Sequence, residues 1–141
     1  MGETCFVGID FGTARIGVAV SDTEKKVAFP LDVVHRKNGS YGLKRLRKLL
    51  EDRNIGAFVV GLPYRENGEI GEEGTRVLQY CESLREYFNV DVKTWDERYT
   101  TLAAERMLVS SDVKRAGRKR VIDSISAQII LQSYLDALQK D

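Results

Sequence analysis

Apolar and polar positions along this chain change rhythm several times. Thr4–Asp10 (TCFVGID) and Ile16–Asp22 (IGVAVSD) read as two strands joined by a short Gly-containing loop, and therefore as a hairpin. Val27–His35 is a weaker third strand, because Pro30 suits an edge or a bulge. Ser40 is a cap for a helix reaching about Arg53, with Leu43, Leu46, Leu49 and Leu50 on one side. Ile55–Gly61 (IGAFVVG) is a short apolar run of the kind found in central strands buried on both faces. Leu62–Gly71, with Pro63, Gly68 and Gly71, reads as a loop. A helix over Glu72–Phe88 then places Val77, Leu78, Cys81, Leu84 and Phe88 on a core face. Val90–Trp95 is a fifth strand. A helix from about Thr101 to Ser110, a basic loop and a last helix from Val121 to about Leu138 complete the chain. Ile122, Ile125, Ile129, Ile130, Leu131, Leu135 and Leu138 make that last helix apolar over more than one face, which predicts a core element. An opening meander followed by alternating helices and strands predicts an α/β protein, a mixed sheet with helices on both faces.

Composition narrows the class. The 141 residues suit one domain, and 43% hydrophobic with 30% charged residues is ordinary for a soluble globular protein. No apolar run approaches the roughly 18 residues of a membrane span. No secretory leader pattern opens the sequence, so a cytoplasmic protein without membrane contact is expected. Cys5 and Cys81 have neither metal-ligand nor CxxC spacing and read as reduced core thiols. A single histidine, His35, argues against a His-rich metal site and against a Ser-His-Asp triad. The net charge of +1 conceals an uneven distribution. DVKRAGRKR (112–120) carries Lys114, Arg115, Arg118, Lys119 and Arg120, KRLRK (44–48) is basic, and Arg65–Glu73 holds four glutamates.

In sheets of this type, sites gather at strand carboxyl ends. Asp10 of GIDFG, Gly61 and Asp96–Glu97 of WDERYTT all fall at such ends, and Asp123 of RVIDSISA sits in the first turn of the last helix. Each acid has an ordinary explanation as well. Asp10 can start a turn, Asp96 or Glu97 can pair with Arg98, and Asp123 can cap its helix. The basic run is, by itself, a solvated surface. Together, however, clustered acids repel one another unless a cation lies between them, and hard oxygen ligands favour Mg²⁺ or Mn²⁺. Such a centre suits phosphodiester hydrolysis, with the neighbouring Lys and Arg side chains holding the phosphate backbone. Alternation along 90–97 leaves the choice between Asp96 and Glu97 open, because Asp96 shares parity with Val90 and Val92.

Four blocks, GIDFGTARIGVAVSD, VGLP with NG at 60–68, WDERYTTLAAERML and RKRVIDSISAQIILQSYLD, resemble the YqgF family in order and over nearly the whole chain. That family is described both as Holliday junction resolvases and as pre-16S rRNA nucleases. The resemblance implies a ribonuclease-H-like fold with a five-stranded mixed sheet whose first three strands are antiparallel. It also implies a metal-dependent nuclease acting on structured rRNA precursor or branched DNA, as a monomer or weak homodimer. Matched residue by residue, it makes Asp10, Glu97 and Asp123 the catalytic and metal-binding acids. Thr13 and Arg98 become supporting residues, for phosphate contact and carboxylate orientation. One departure stands out: related junction resolvases carry a further acid one turn after the last catalytic Asp, where this chain has Ser126 and Ala127. Tyr64, Trp95 and Tyr99 border the site and serve either base stacking or packing, and the 62–74 loop is placed to close over substrate. Two competing readings are a nucleotide-binding module, since DFGT also occurs in sugar kinases and actin-like ATPases, and a non-catalytic RNA-binding ribosome-assembly factor.

Overall fold

The computed structural model describes residues 3–99 and 118–139, with backbone alone for 99 and 118–122. Five strands form one sheet: β1 (Cys5–Phe11), β2 (Arg15–Ser21), β3 (Ala28–His35), β4 (Ile55–Leu62) and β5 (Asp91–Asp96). Their order is β3-β2-β1-β4-β5. The β1–β2 and β2–β3 pairs are antiparallel, whereas β4 runs parallel to both β1 and β5. This is the mixed sheet with an antiparallel opening that the sequence predicts. The described helices are α1 (Leu43–Leu49), α2 (Glu72–Phe88) and α3 (Arg118–Leu138). The expected helix over 101–110 and most of the basic loop lie outside the described residues. No helix among the described residues is long and apolar enough to cross a membrane. Cys5 and Cys81 are buried free thiols, as their spacing predicts.

Two hydrophobic layers flank the sheet. On one face, Val7, Ile9, Val18, Phe58 and Val60 pack with Leu46 of α1 and with Val77, Tyr80 and Leu84 of α2. On the other, Ala19, Ala28 and Val59 meet Ala127, Ile130, Leu131 and Leu135 of α3. Two local expectations are corrected. Leu78 is 40% exposed, and Tyr80, fully buried, takes the core place expected of it, since the stripe of α2 runs through Val77, Cys81 and Leu84. Ser40 does not cap α1. Its N–H instead closes a 3₁₀ turn onto the Lys37 carbonyl, and α1 begins after Gly42, whose φ of 61° is left-handed.

The α3 face of the sheet is floored with very small residues, and their placement decides how closely that helix approaches. A Cβ on Gly8 would stand 2.7 Å from both the Ala127 carbonyl oxygen and the Leu131 Cβ. A Cβ on Gly17 would collide with the Asp123 carbonyl. The α3 backbone therefore rests on the sheet backbone at β1 and β2, which side chains of ordinary size forbid. Polar side chains fix its register. Gln132 accepts from the Ala28 N–H at 2.8 Å, and Ser133 accepts from the Trp95 indole at 2.9 Å. Gly17→Ala must push α3 outward. It is expected to lower the unfolding free energy by about 2–3 kcal/mol, as overpacked cores do, and a denaturant midpoint equal to that of wild type would refute the close approach.

Candidate active site

Strand alternation brings the site residues to the α3 face. In β1, Phe6, Gly8 and Asp10 point to that face while Val7, Ile9 and Phe11 point to the other. Asp10 lies opposite Gly17 in the β1–β2 register, and Gly17 is the residue beneath the Asp123 backbone. Asp123 is thereby delivered to the strand pair that carries Asp10. Across the sheet, Gly61 pairs with Trp95, and a Cβ on Gly61 would meet Glu97 Oε1 at 2.8 Å and Ile130 Cδ1 at 2.5 Å. Glu97, in the 3₁₀ turn Glu97–Tyr99 that follows β5, thus lies over the same glycine-floored patch.

The two adjacent acids, Asp96 and Glu97, lie on different sides of the strand end. Trp95 packs with the α3 layer, so Asp96 faces away from it. Asp96 is bound by Arg98, which donates from Nη2 at 2.6 Å and from Nε at 3.0 Å. Arg98 thus grips Asp96, and it also lies over the Tyr64 ring at 4.8 Å.

The electrostatics of the remaining acids are those of crowded, desolvated carboxyls. Burial pushes Asp10 up to about 6, the Asp123 charge adds to the shift, and a hydrogen bond from Glu97 opposes it. Glu97 is pushed up to about 7, first by burial, then by the Asp10 charge and by its hydrogen bond to Asp10, with Glu73 and Asp96 contributing. The two carboxyls share a proton: Glu97 donates and Asp10 accepts. Asp123 is held differently, accepting from Arg15 Nε at 2.5 Å. The expected three acids are thus a hydrogen-bonded pair with a third, arginine-bound neighbour. Among the described residues no set of three His, Cys, Asp or Glu side chains is arranged as a ready metal cage.

A recess of about 290 Å³ opens beside the pair, lined by Asp10, Glu97, Thr13, Glu73, Arg36 and Arg76 among others. Thr13 is exposed at its rim, and its carbonyl accepts from Arg36 at 3.1 Å. Trp95 packs edge-on against Tyr134, with ring centroids 5.5 Å apart, and its indole donates to Ser133. Lys114 and Arg115 lie outside the described residues. Arg118, Lys119 and Arg120 form the first turn of α3, directly before Asp123, with their backbone alone described. The sequence reasoning missed Arg15, Glu73, Arg36 and Arg76. Arg15 was findable, since it shares strand parity with Gly17 and therefore faces α3. Glu73 was hidden within an acidic loop.

Comparison with known proteins follows this geometry. A protein from Clostridium botulinum, described as "Putative pre-16S rRNA nuclease", is 37% identical over 95% of this chain and 98% of the relative. One of the same description from Bacillus cereus is 44% identical over 92% of this chain and 96% of its own length. Among solved structures, T. thermophilus RuvC in complex with a Holliday junction substrate superposes with a TM-score of 0.61, at 16% identity, covering 96% of this chain and 97% of that one. The fowlpox virus resolvase bound to Holliday junction DNA gives 0.54 at 10% identity, covering 97% of this chain and 100% of that one. The structural likenesses show the ribonuclease-H-like fold.

Because their folded-state values are raised, Asp10 and Glu97 bind protons more tightly folded than unfolded. Metal-free stability therefore falls as pH rises from about 4 to about 7. Glu97→Gln removes much of this slope. At pH about 8 without divalent ions the variant is expected to be more stable than wild type by roughly 1–3 kcal/mol, with the gain absent at pH about 4. Parallel stability–pH curves would contradict the shared-proton pair. The family model described as "RuvX: Holliday junction resolvase" matches residues 4–137, and this chain belongs to that family.

Proposed function

We propose that this protein is a divalent-metal-dependent nuclease, with Asp10, Glu97 and Asp123 as its catalytic and metal-binding acids, and that it processes the 5′ end of precursor 16S rRNA. The observation that carries the reading is the half-buried Asp10–Glu97 pair, kept partly protonated and opening onto a recess that also holds arginines. A purely structural acid pair has no need of such a recess. Family membership and the relatives' descriptions support nucleic acid as the substrate.

The donor set consists of carboxylate oxygens, which suits Mg²⁺ or Mn²⁺. Such an ion, when bound, lowers the pKa of water and offsets charge on the phosphate. The chain's own residues prepare that event. The proton between Asp10 and Glu97 must leave before the pair can hold a cation, so cation affinity rises with pH toward neutrality and above. Arg15 holds Asp123 in place beside Asp10 meanwhile, and its charge limits repulsion among the acids. Thr13, at the rim, contacts substrate phosphate, and Lys114, Arg115, Arg118, Lys119 and Arg120 hold the backbone beyond the cut. Arg98 acts through Asp96, steadying the turn that carries Glu97.

Two alternatives have specific support. The family description and the junction-bound structural neighbours favour branched DNA as substrate. The Arg15-bound state of Asp123 and the absence of an acid at Ser126 and Ala127 favour a non-catalytic RNA-binding factor.

Labelled precursor rRNA, single-stranded RNA and four-way DNA, each with Mg²⁺ and with Mn²⁺, separate these readings. Wild type is expected to cut the rRNA precursor, and Asp10→Asn to lose at least about 100-fold in rate while keeping its fold and binding. Cutting by highly purified Asp10→Asn at the wild-type rate would reject the mechanism. In thermal melts, Mn²⁺ is expected to stabilise wild type more at pH about 8 than at pH about 5, and Asp10→Asn at neither. A shift independent of both pH and Asp10 would reject the metal assignment.

A further inference from the structure

A second cavity, of about 390 Å³, adjoins the first and shares Phe11, Arg36 and Arg76 with it. Its other walls include Ser40, Tyr41 and Gln79. This volume is within the range of small-ligand sites.

Its construction is unusual in three respects. Arg36 lies over the Phe11 ring at 4.4 Å, and Tyr80 stacks on Phe11 with centroids 4.3 Å apart. Tyr41 meets both rings edge-on, at 5.8 Å from Phe11 and 5.3 Å from Tyr80. The result is a rigid aromatic wall with a guanidinium on it. Arg36 is also locked in place: it donates to the carbonyls of Gly12, Thr13, Gly39 and Ser40 at 2.8–3.1 Å. Among the described residues no carboxylate forms an ion pair with it, so its charge has only backbone dipoles as partners. Arg76 adds a second cation, paired only loosely with Glu72 at 3.9 Å. Finally, the Tyr80 hydroxyl, fully buried behind Phe11 and Tyr41, has no hydrogen-bond partner.

Two cations at the shared wall, the fixed Arg36 and the exposed Arg76, attract an anion, and the ring-lined recess next to them accepts a flat apolar face. Phosphate and base joined by a sugar offer that pairing. We propose that this cavity is a subsite for one unpaired nucleotide of the strand being cut, its phosphate held between Arg36 and Arg76 and its base against Tyr41. The inference rests on the nuclease reading and deepens it: the substrate class becomes single-stranded, or locally unpaired, nucleic acid. A base within a duplex is stacked above and below and cannot enter a recess, whereas an unpaired base can. Continuity of the two cavities through Phe11, Arg36 and Arg76 leads the chain from this recess to Asp10 and Glu97. A free nucleotide would make no use of that path.

The test uses the full chain carrying Asp10→Asn, so that bound strands stay intact, with fluorescence anisotropy as the readout. Probes are a short unstructured RNA and the duplex of the same sequence. Arg76 is largely exposed on α2, so Arg76→Gln keeps the fold, while Tyr41→Leu keeps an apolar side chain against Phe11 and removes the ring. Each substitution is expected to weaken single-strand binding about five- to tenfold, the scale of one lost base or phosphate contact, and to leave duplex binding within about twofold. Single-strand affinity unchanged in both variants, equal losses on both probes, or no binding of the single strand by the parent would overturn the subsite. The same substitutions without Asp10→Asn keep the two readings apart. Wild-type cutting with no variant effect on single-strand affinity removes the subsite and leaves the nuclease. A selective single-strand loss in a protein that cuts nothing removes the nuclease and leaves the subsite.

Discussion

The backbone of α3 lies directly on the backbone of β1 and β2, and the geometry of the acidic centre follows from that contact. Gly8 and Gly17 open the space; Ala127 and the Asp123 carbonyl occupy it. Were α3 held off by side chains of ordinary size, as helices on sheets usually are, Asp123 would stand a residue's width farther from Asp10. The electrostatic link between them, which contributes to the raised Asp10 value, would weaken accordingly. Gly61 does the same for Glu97 from the other side. Glycines that cost strand stability thus serve to bring three elements distant in sequence to one rim.

That closeness carries an electrostatic cost which the fold meets locally. Asp10 and Glu97 retain a proton between them, and Arg15 takes the third charge. The repulsion among the acids is thus relieved by groups of the chain itself, a proton and a guanidinium. Asp96, the acid beside Glu97 in sequence, is held by Arg98 on the opposite face and adds only to the field that raises Glu97.

Much of this was legible from sequence. The strands of the opening meander, the buried β4 run and the bounds of α2 follow from alternation and from helical periodicity, signals set by local burial. Asp10 and Asp123 were marked by their places at a strand end and a helix start. What was not legible depends on which face of a strand meets which layer. Alternation, with Asp96 sharing the parity of Val90 and Val92, left Asp96 and Glu97 both open, and the acid cluster lies on the side of Trp95, whose ring packs with α3. Ser40 looked like a cap because its residue type is right. Its carbonyl is instead bound by Arg36, whose grip on the 36–40 turn no local pattern announces. Leu78 and Tyr80 exchanged places for a similar reason. The ring stack with Phe11 and Tyr41 decides the core of α2, and that stack joins three segments.

The missing acid of α3 has a packing explanation. Ala127 is fully buried, with its carbonyl against Gly8, so a carboxylate there would be driven into the sheet. Additional negative charge reaches the centre instead from α2, where Glu73 lines the recess and raises Glu97. The same recess carries Arg36 and Arg76. The cleft therefore carries both signs of charge: Asp10, Glu97 and Glu73 share its lining with Arg36 and Arg76, so an anion entering it is attracted by the arginines and repelled by the acids.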